Sequence, residues 1–263
     1  MITSHSLYRA EPTRQLENTA TYLNTILTDK LYGRFLYPEA NHSLLPVIFP
    51  FFCRVPEVIV HKLYGVLCLY LAKMWQEIAK YGRKLVEHGL VESNFGNISL
   101  RAGDRMIITR TGAALDEITV NNVVEVDIRD TSSMDIIASS EAVVHREIYR
   151  QTSALAIIHA HAPYAVVESL LAGPGEKISP VDSEGQYFLG EIPVVGGGIG
   201  SCELAGNLAN ALSRHRGAIV YSHGTFAVGR TLGDAYIVTT QLEHSCKVKY
   251  LYERVRQQKK ENK

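Results

Sequence analysis

Two histidines in the stretch Ala156-Ile157-Ile158-His159-Ala160-His161-Ala162-Pro163 have the spacing of a metal chelate. β-Branched residues before the first and a proline after the second predict a short buried strand that stops abruptly. In extended backbone, residues i and i+2 project to one face, so His159 and His161 can grip the same ion. Imidazole suits zinc and its neighbours, and a catalytic zinc site usually has three protein ligands plus an open position. Two core histidines bonded to backbone carbonyls would show the same spacing, so the rest of the set has to decide. The best third ligand is His223, at the end of the apolar strand Ala218-Ile219-Val220-Tyr221 and next to Gly224, where backbone and substrate can approach closely.

The acid–base candidate is Glu141, in Ser139-Ser140-Glu141. A carboxylate within reach of a divalent cation can alternate between ligand and proton acceptor, although the same residue could simply cap its own helix. Three turns bear glycine or short polar side chains: Gly96-Asn97-Ile98-Ser99, Thr111-Gly112 and Ser139-Ser140. Exposed amides and hydroxyls of this kind bind phosphate oxygens, particularly at a helix start. Each turn alone is an ordinary loop. His145 lies one turn after Glu141 and shares its face; it is expected to pack or to orient a neighbour. His215 reads as a solvated turn, and His244, which could also line the cleft, as a helix-packing residue.

The elements that must position these groups follow from periodicity. Ile78, Tyr81, Leu85 and Val86 recur at helical spacing from Met74, and His88-Gly89 stops that helix. A turn entering a strand is expected over Asn94–Arg101, and strands at Met106–Thr109, Val123–Ile128, Ile157–His161 and Ala218–Tyr221. Helices are expected from Ser139-Ser140-Glu141 to about Gln151, over Ala165–Leu171 and over Glu203–Ser213. The last follows a glycine-rich segment, Val194–Gly200. A long C-terminal helix begins near Gly233-Asp234 and frays around Gln257–Lys260. This alternation implies a mixed α/β layered domain over residues 74–263.

Residues 1–73 differ in texture. A weak helix over Leu16–Leu27 precedes Tyr37–Pro56, where prolines among bulky apolar residues oppose a spanning helix. The apolar run Leu63–Ala72 is about half the length a membrane span requires. The region carries no chemical motif. It is read either as a partner-binding extension or as sequence upstream of the true start at Met74.

With 46% apolar residues, a substantial core is available and wholesale disorder is excluded. Lys plus Arg and Asp plus Glu number 27 each, so no net field advertises nucleic acid or an acidic membrane as partner. Cys53, Cys68, Cys202 and Cys246 are widely spaced, as in reduced structural thiols rather than a disulfide framework. No signal-peptide pattern opens the chain, and a cytoplasmic location is expected.

The ordered set Gly-Asn-x-Ser, Thr-Gly, Ser-Ser-Glu, His-x-His and His-Gly resembles the class II aldolase/adducin family over roughly Met74–Tyr252. The resemblance implies a three-layer α/β domain, with a central mostly antiparallel sheet flanked by helices. It also implies a homotetramer with active sites between neighbouring subunits. His159, His161 and His223 match the zinc-binding histidines, and Glu141 matches the catalytic glutamate. Gly96, Asn97, Thr111, Gly112, Ser139 and Ser140 match the phosphate-binding positions. A C-terminal tyrosine, Tyr250 or Tyr252, falls where the family's aldolases carry a second acid–base group.

The implied activity is reversible cleavage of a ketose 1-phosphate, similar to fuculose 1-phosphate, into dihydroxyacetone phosphate and an aldehyde. Methylthioribulose-phosphate dehydratases keep the glutamate and are the alternative, as are decarboxylases on the same scaffold. The family's 4-epimerases generally carry aspartate at this position. Adducin-like interaction modules have lost the histidines that this chain keeps. Near the aldehyde end the chain departs from the aldolases, because Ile178–Glu184 lacks their tyrosine and Val195–Ile199 offers no aromatic wall.

Overall fold

A computed structural model describes residues 73–262; the expected helix over Leu16–Leu27, the remainder of the 1–72 segment, Cys53 and Cys68 lie outside the described residues. Helix α1 occupies 73–87. It is followed by β1 (Asn97–Ala102), β2 (Arg105–Thr109), β3 (Val123–Asp127), α2 (Ala142–Gln151), β4 (Ala156–Ala160) and α3 (Pro163–Ala172). Then come β5 (Lys177–Ile178), α4 (Ser183–Phe188), β6 (Ile192–Val195), α5 (Cys202–Leu212), β7 (Gly217–Val220), β8 (Gly224–Gly229) and α6 (Leu232–Glu261).

The strands form one eight-stranded sheet in the order β3-β2-β1-β4-β8-β7-β6-β5. Every pairing is antiparallel except β6 with β7. Because side chains alternate across the sheet, each central strand feeds two cores. On one face Ile98, Ile158 and Ala227 join Ile78 and Leu85 of α1, Ala165 of α3, and Val238 and Leu242 of α6. On the other face Ile157, Phe226 and Val220 join Val144, Ile148 and Tyr149 of α2, and Leu204 and Leu208 of α5. The result is the expected three-layer α/β arrangement, with a mostly antiparallel sheet between two helical layers.

Several boundaries differ from the sequence reading. The glycine-rich segment begins inside β6, where Pro193 had hidden a short strand. The β5 strand and the one-and-a-half-turn α4 carry too few residues for periodicity to register. The C-terminal helix does not fray at Gln257. It continues to Glu261, opened by a capping box between Thr231 and Asp234 and supported near its end by Gln257 bonding to Glu261. None of the helices in the described residues is long and apolar enough to cross a membrane.

Candidate active site

The centre of the sheet brings the site together. His159, one residue before the end of β4, lies opposite Asn97 of β1 on one side and Phe226 of β8 on the other. Directly opposed residues share a face, so all three point toward α2. His159 is fully buried and stacks on Phe226 with centroids 4.3 Å apart. Its Nδ1 donates to the Thr225 carbonyl at 3.0 Å. In the neutral ring that bond leaves Nε2 without a proton and aimed into the site.

His161 follows two residues later on the same face. The third imidazole comes from the β7–β8 hairpin, whose turn places Ser222 at φ 57°, the one non-glycine residue with positive φ among those described. Ser222 donates its N–H to Ser169 Oγ at 3.0 Å, and His223 donates its N–H to the Val220 carbonyl at 3.1 Å. The three rings then stand as a triangle, each pair of centroids 4.8 Å apart. Their candidate ligand nitrogens lie within 4.8 Å of one another.

Two glycines make room for this triangle. A Cβ on Gly224 would lie 2.4 Å from the Ala160 carbonyl oxygen and 3.1 Å from His159 Cε1. Gly96 has φ +74°, and a Cβ there would lie 2.6 Å from the His159 carbonyl oxygen. Gly224→Ala therefore has to push β8 away from β4, an overpacking cost of about 1–3 kcal/mol. We expect a lowered unfolding midpoint together with weakened metal binding, read by thermal denaturation and metal titration. An unchanged metal affinity would show that the rings tolerate the displacement.

Glu141 stands at the head of α2 and is buried. Its side chain makes no capping bond to its helix; instead its N–H donates to Ser139 Oγ at 3.3 Å. The capping alternative is therefore removed. Oε2 accepts from Asn97 Nδ2 at 2.8 Å and lies 3.1 Å from His159 Nε2. Oε1 is buried without a hydrogen-bond partner, 4.0 Å from His223 Nδ1, which is also buried and unpartnered. His161 Nε2 lies 3.0 Å from His159 Nε2.

With His159 Nε2 bare, its 3.1 Å approach to Glu141 Oε2 sets two acceptors against each other, a contact that a cation between them relieves. Burial, reinforced by His223 and His161, pushes the His159 pKa well below its usual value, and burial with His223 beside it lowers that of His161 to about 4. Neutral imidazole is the form that ligates a metal. His159, His161 and His223 therefore fit a divalent ion, with Glu141 at its edge.

The three glycine- or hydroxyl-bearing turns adjoin one another. Asn94 Nδ2 donates to the Gly112 carbonyl, Thr111 N–H to the Ile137 carbonyl, and Ser139 N–H to the Thr109 carbonyl. Thr111, Gly112 and Ser140 are exposed, while Ser139 and Asn97 are buried. Asn97 turns its carboxamide inward, to Glu141 and to His145 Nε2 at 2.6 Å. His145 does orient a neighbour, as its position on the Glu141 face suggested. His244 is exposed rather than packed. Tyr250 packs edge-on against Tyr164 at 5.6 Å, and Tyr252 is half exposed. Sequence reasoning passed over Phe95, whose half-exposed ring stacks on His161 at 5.6 Å.

Residues 76–250 match the family described as Class II Aldolase and Adducin N-terminal domain. The chain belongs to the class II aldolase and adducin family. Among solved structures, this class II aldolase-family chain is similar to L-fuculose-1-phosphate aldolase from Thermus thermophilus. The two share 34% identity and a TM-score of 0.65, over 71% of this chain and 96% of that one. It is 31% identical to L-fuculose phosphate aldolase from Methanocaldococcus jannaschii, over 67% of this chain and 95% of that protein. It is also 33% identical to a probable bifunctional methylthioribose-1-phosphate isomerase/methylthioribulose-1-phosphate dehydratase from Nocardia farcinica. That match covers 38% of this chain and only 19% of the relative's length.

Proposed function

We propose that this chain is a zinc-dependent aldolase that reversibly cleaves a ketose 1-phosphate to dihydroxyacetone phosphate and an aldehyde. The observation that carries the reading is a buried carboxylate with one unpartnered oxygen, set against three converging imidazoles and beside three polar turns. His159, His161 and His223 would hold the ion. When bound, a divalent cation supplies a Lewis acid that stabilises negative charge developing on the substrate.

The residues of the chain do the rest. Gly96, Thr111, Gly112, Ser139 and Ser140 line the phosphate end beside the Asn97 backbone, whose carboxamide is turned instead to Glu141 and His145; remote binding energy there orients the reacting carbons. Glu141, held at Oε2, takes up and returns the proton at the donor carbon through Oε1. Burial of Glu141 and His159 against Phe226 keeps water from the floor of the site. Tyr250 or Tyr252, on the outer half of α6, would complete a neighbouring subunit's site in a homotetramer.

The similarity to two fuculose-phosphate aldolases along nearly their whole lengths supports the aldol reading. The partial likeness to the Nocardia farcinica protein supports dehydration as the second reading, in which the same carboxylate removes a proton beside a carbonyl. Metal-loaded protein is incubated separately with fuculose, ribulose and methylthioribulose 1-phosphates, and products are identified by mass spectrometry. Dihydroxyacetone phosphate plus an aldehyde supports cleavage; loss of water without cleavage supports the dehydratase.

We also propose that residues 1–73 form an extension dispensable for chemistry, since the family match begins at residue 76 and every candidate site residue follows it. A chain beginning at Met74 is expected to keep wild-type turnover and assembly, read by activity assay and light scattering. Loss of either in a folded protein would give the extension a part in the site or the oligomer.

A further inference from the structure

Glu141 is the end of a longer row of buried polar side chains. Asn97 and Ser99 alternate onto the α2 face of β1, while Glu141, His145 and Tyr149 recur at four-residue spacing on the facing side of α2. The two sets interleave. Tyr149 Oη lies 2.7 Å from Ser99 Oγ, and Ser99 Oγ lies 2.7 Å from His145 Nδ1. His145 Nε2 is 2.6 Å from Asn97 Oδ1, and Asn97 Nδ2 is 2.8 Å from Glu141 Oε2. All five residues are buried.

The donors and acceptors can be assigned in one direction. A carboxylate oxygen accepts only, so Asn97 must turn its NH2 to Glu141 and its carbonyl to His145. That carbonyl needs a donor, which requires the Nε2–H tautomer of His145. Burial holds the His145 pKa down to about 3, so the ring carries a single N–H and its Nδ1 must accept. Ser99 then donates to Nδ1 and accepts from Tyr149, whose hydroxyl burial keeps protonated. The opposite tautomer would set the Nε2 lone pair against the Asn97 carbonyl. Alternatively it would force an amide flip that sets the Asn97 carbonyl against Glu141.

A row that served only the fold would be satisfied at both ends. This one is satisfied at the far end, where the Tyr149 hydroxyl donates its single proton to Ser99 Oγ at 2.7 Å. At the site end it stops on a carboxylate whose other oxygen is buried and unpartnered. His145 also meets Phe226 edge-on at 5.8 Å, the ring on which His159 stacks, so packing ties the row to the histidine triangle.

We propose that His145 is a positioning residue which, through Asn97, fixes the Glu141 carboxylate so that Oε2 is held and Oε1 alone exchanges the proton with substrate. The second half of this statement rests on the aldolase reading; the clamp itself does not.

The test uses the full metal-loaded chain with His145→Phe, which fills the ring space but donates nothing, and His145→Gln, which keeps a donor and an acceptor. Metal content and inhibition by inorganic phosphate should match wild type in both. Hydrogen exchange at the donor carbon of dihydroxyacetone phosphate should fall about ten- to a hundredfold in His145→Phe, the scale of a misplaced catalytic group. The loss should lie in kcat rather than KM, and most of it should return in His145→Gln. Nitrogen-15 NMR of histidine-labelled wild type should show His145 as the Nε2–H tautomer.

Exchange at the wild-type rate per metal-loaded His145→Phe chain, or an Nδ1–H tautomer, would overturn the proposal. If His145→Phe does not fold, the tautomer and the kcat of His145→Gln decide. A wild type inert toward dihydroxyacetone phosphate would remove the aldolase reading. The clamp would then stand or fall on the tautomer and on slow solvent exchange of the Asn97 carboxamide protons.

Discussion

Glu141→Gln is expected to keep the metal and inorganic phosphate yet lose roughly a hundred- to ten-thousand-fold of carbon–carbon bond cleavage, the usual consequence of deleting a general base. Glutamine is nearly isosteric, and its carbonyl can still accept the 2.8 Å bond from Asn97 Nδ2. Its amino group then occupies the place of Oε1, the unpartnered oxygen, and has no basicity to offer. Little stability should be lost, because Glu141 makes no capping bond to α2. Turnover and the unfolding midpoint, measured on the same preparation, separate the two effects. A large fall in midpoint with turnover per folded chain intact would assign Glu141 to structure.

Removing a first ligand should cost at least as much. His159→Ala is expected to reduce bound metal from about one ion per chain to near none, and to abolish activity with it. His159 is the ring held most firmly: it is fully buried, its Nδ1 donates to the Thr225 carbonyl, and its face lies on Phe226. Losing a partner that merely orients a ligand typically costs about 10–100-fold in metal affinity, and losing the ligand should exceed that. Elemental analysis of the folded variant decides. Chelator-treated wild type should likewise be inactive and regain turnover when zinc is restored. Full metal content in His159→Ala, with circular dichroism unchanged, would remove the three-histidine site.

Much of this site could be read before any coordinates, for a local reason. His159 and His161 declare their shared face through the two-residue period of a strand, and His223-Gly224 sits where an apolar strand must turn. The helix starting near Glu141 was legible from its serines and following periodicity. What sequence could not show was pairing across long separations. Asn97 lies 44 residues from Glu141 and 48 from His145, so nothing local distinguishes a phosphate-turn asparagine from one whose carboxamide turns inward.

The register of β1 on β4 settles that matter, by setting Asn97 opposite His159. Whether Glu141 capped α2 was likewise a question of side-chain direction. In the fold, β5, β6 and α4 escaped notice because two to six residues give too short a sample of either period, and Pro193 interrupts β6. The extent of α6 was underestimated because its polar end reads as fraying, whereas a helix of that composition is sustained by pairs such as Gln257 with Glu261.

The most direct test of the central claim needs no knowledge of the aldehyde. Metal-loaded protein is mixed with dihydroxyacetone phosphate in deuterium oxide, and the hydroxymethyl carbon is followed by proton NMR. A single carboxylate oxygen facing one side of the substrate predicts replacement of one of the two hydrogens on that carbon and retention of the other. Chelator should stop the exchange, and so should Glu141→Gln. No exchange by protein carrying one metal ion per chain, or equal exchange by Glu141→Gln, would contradict the account.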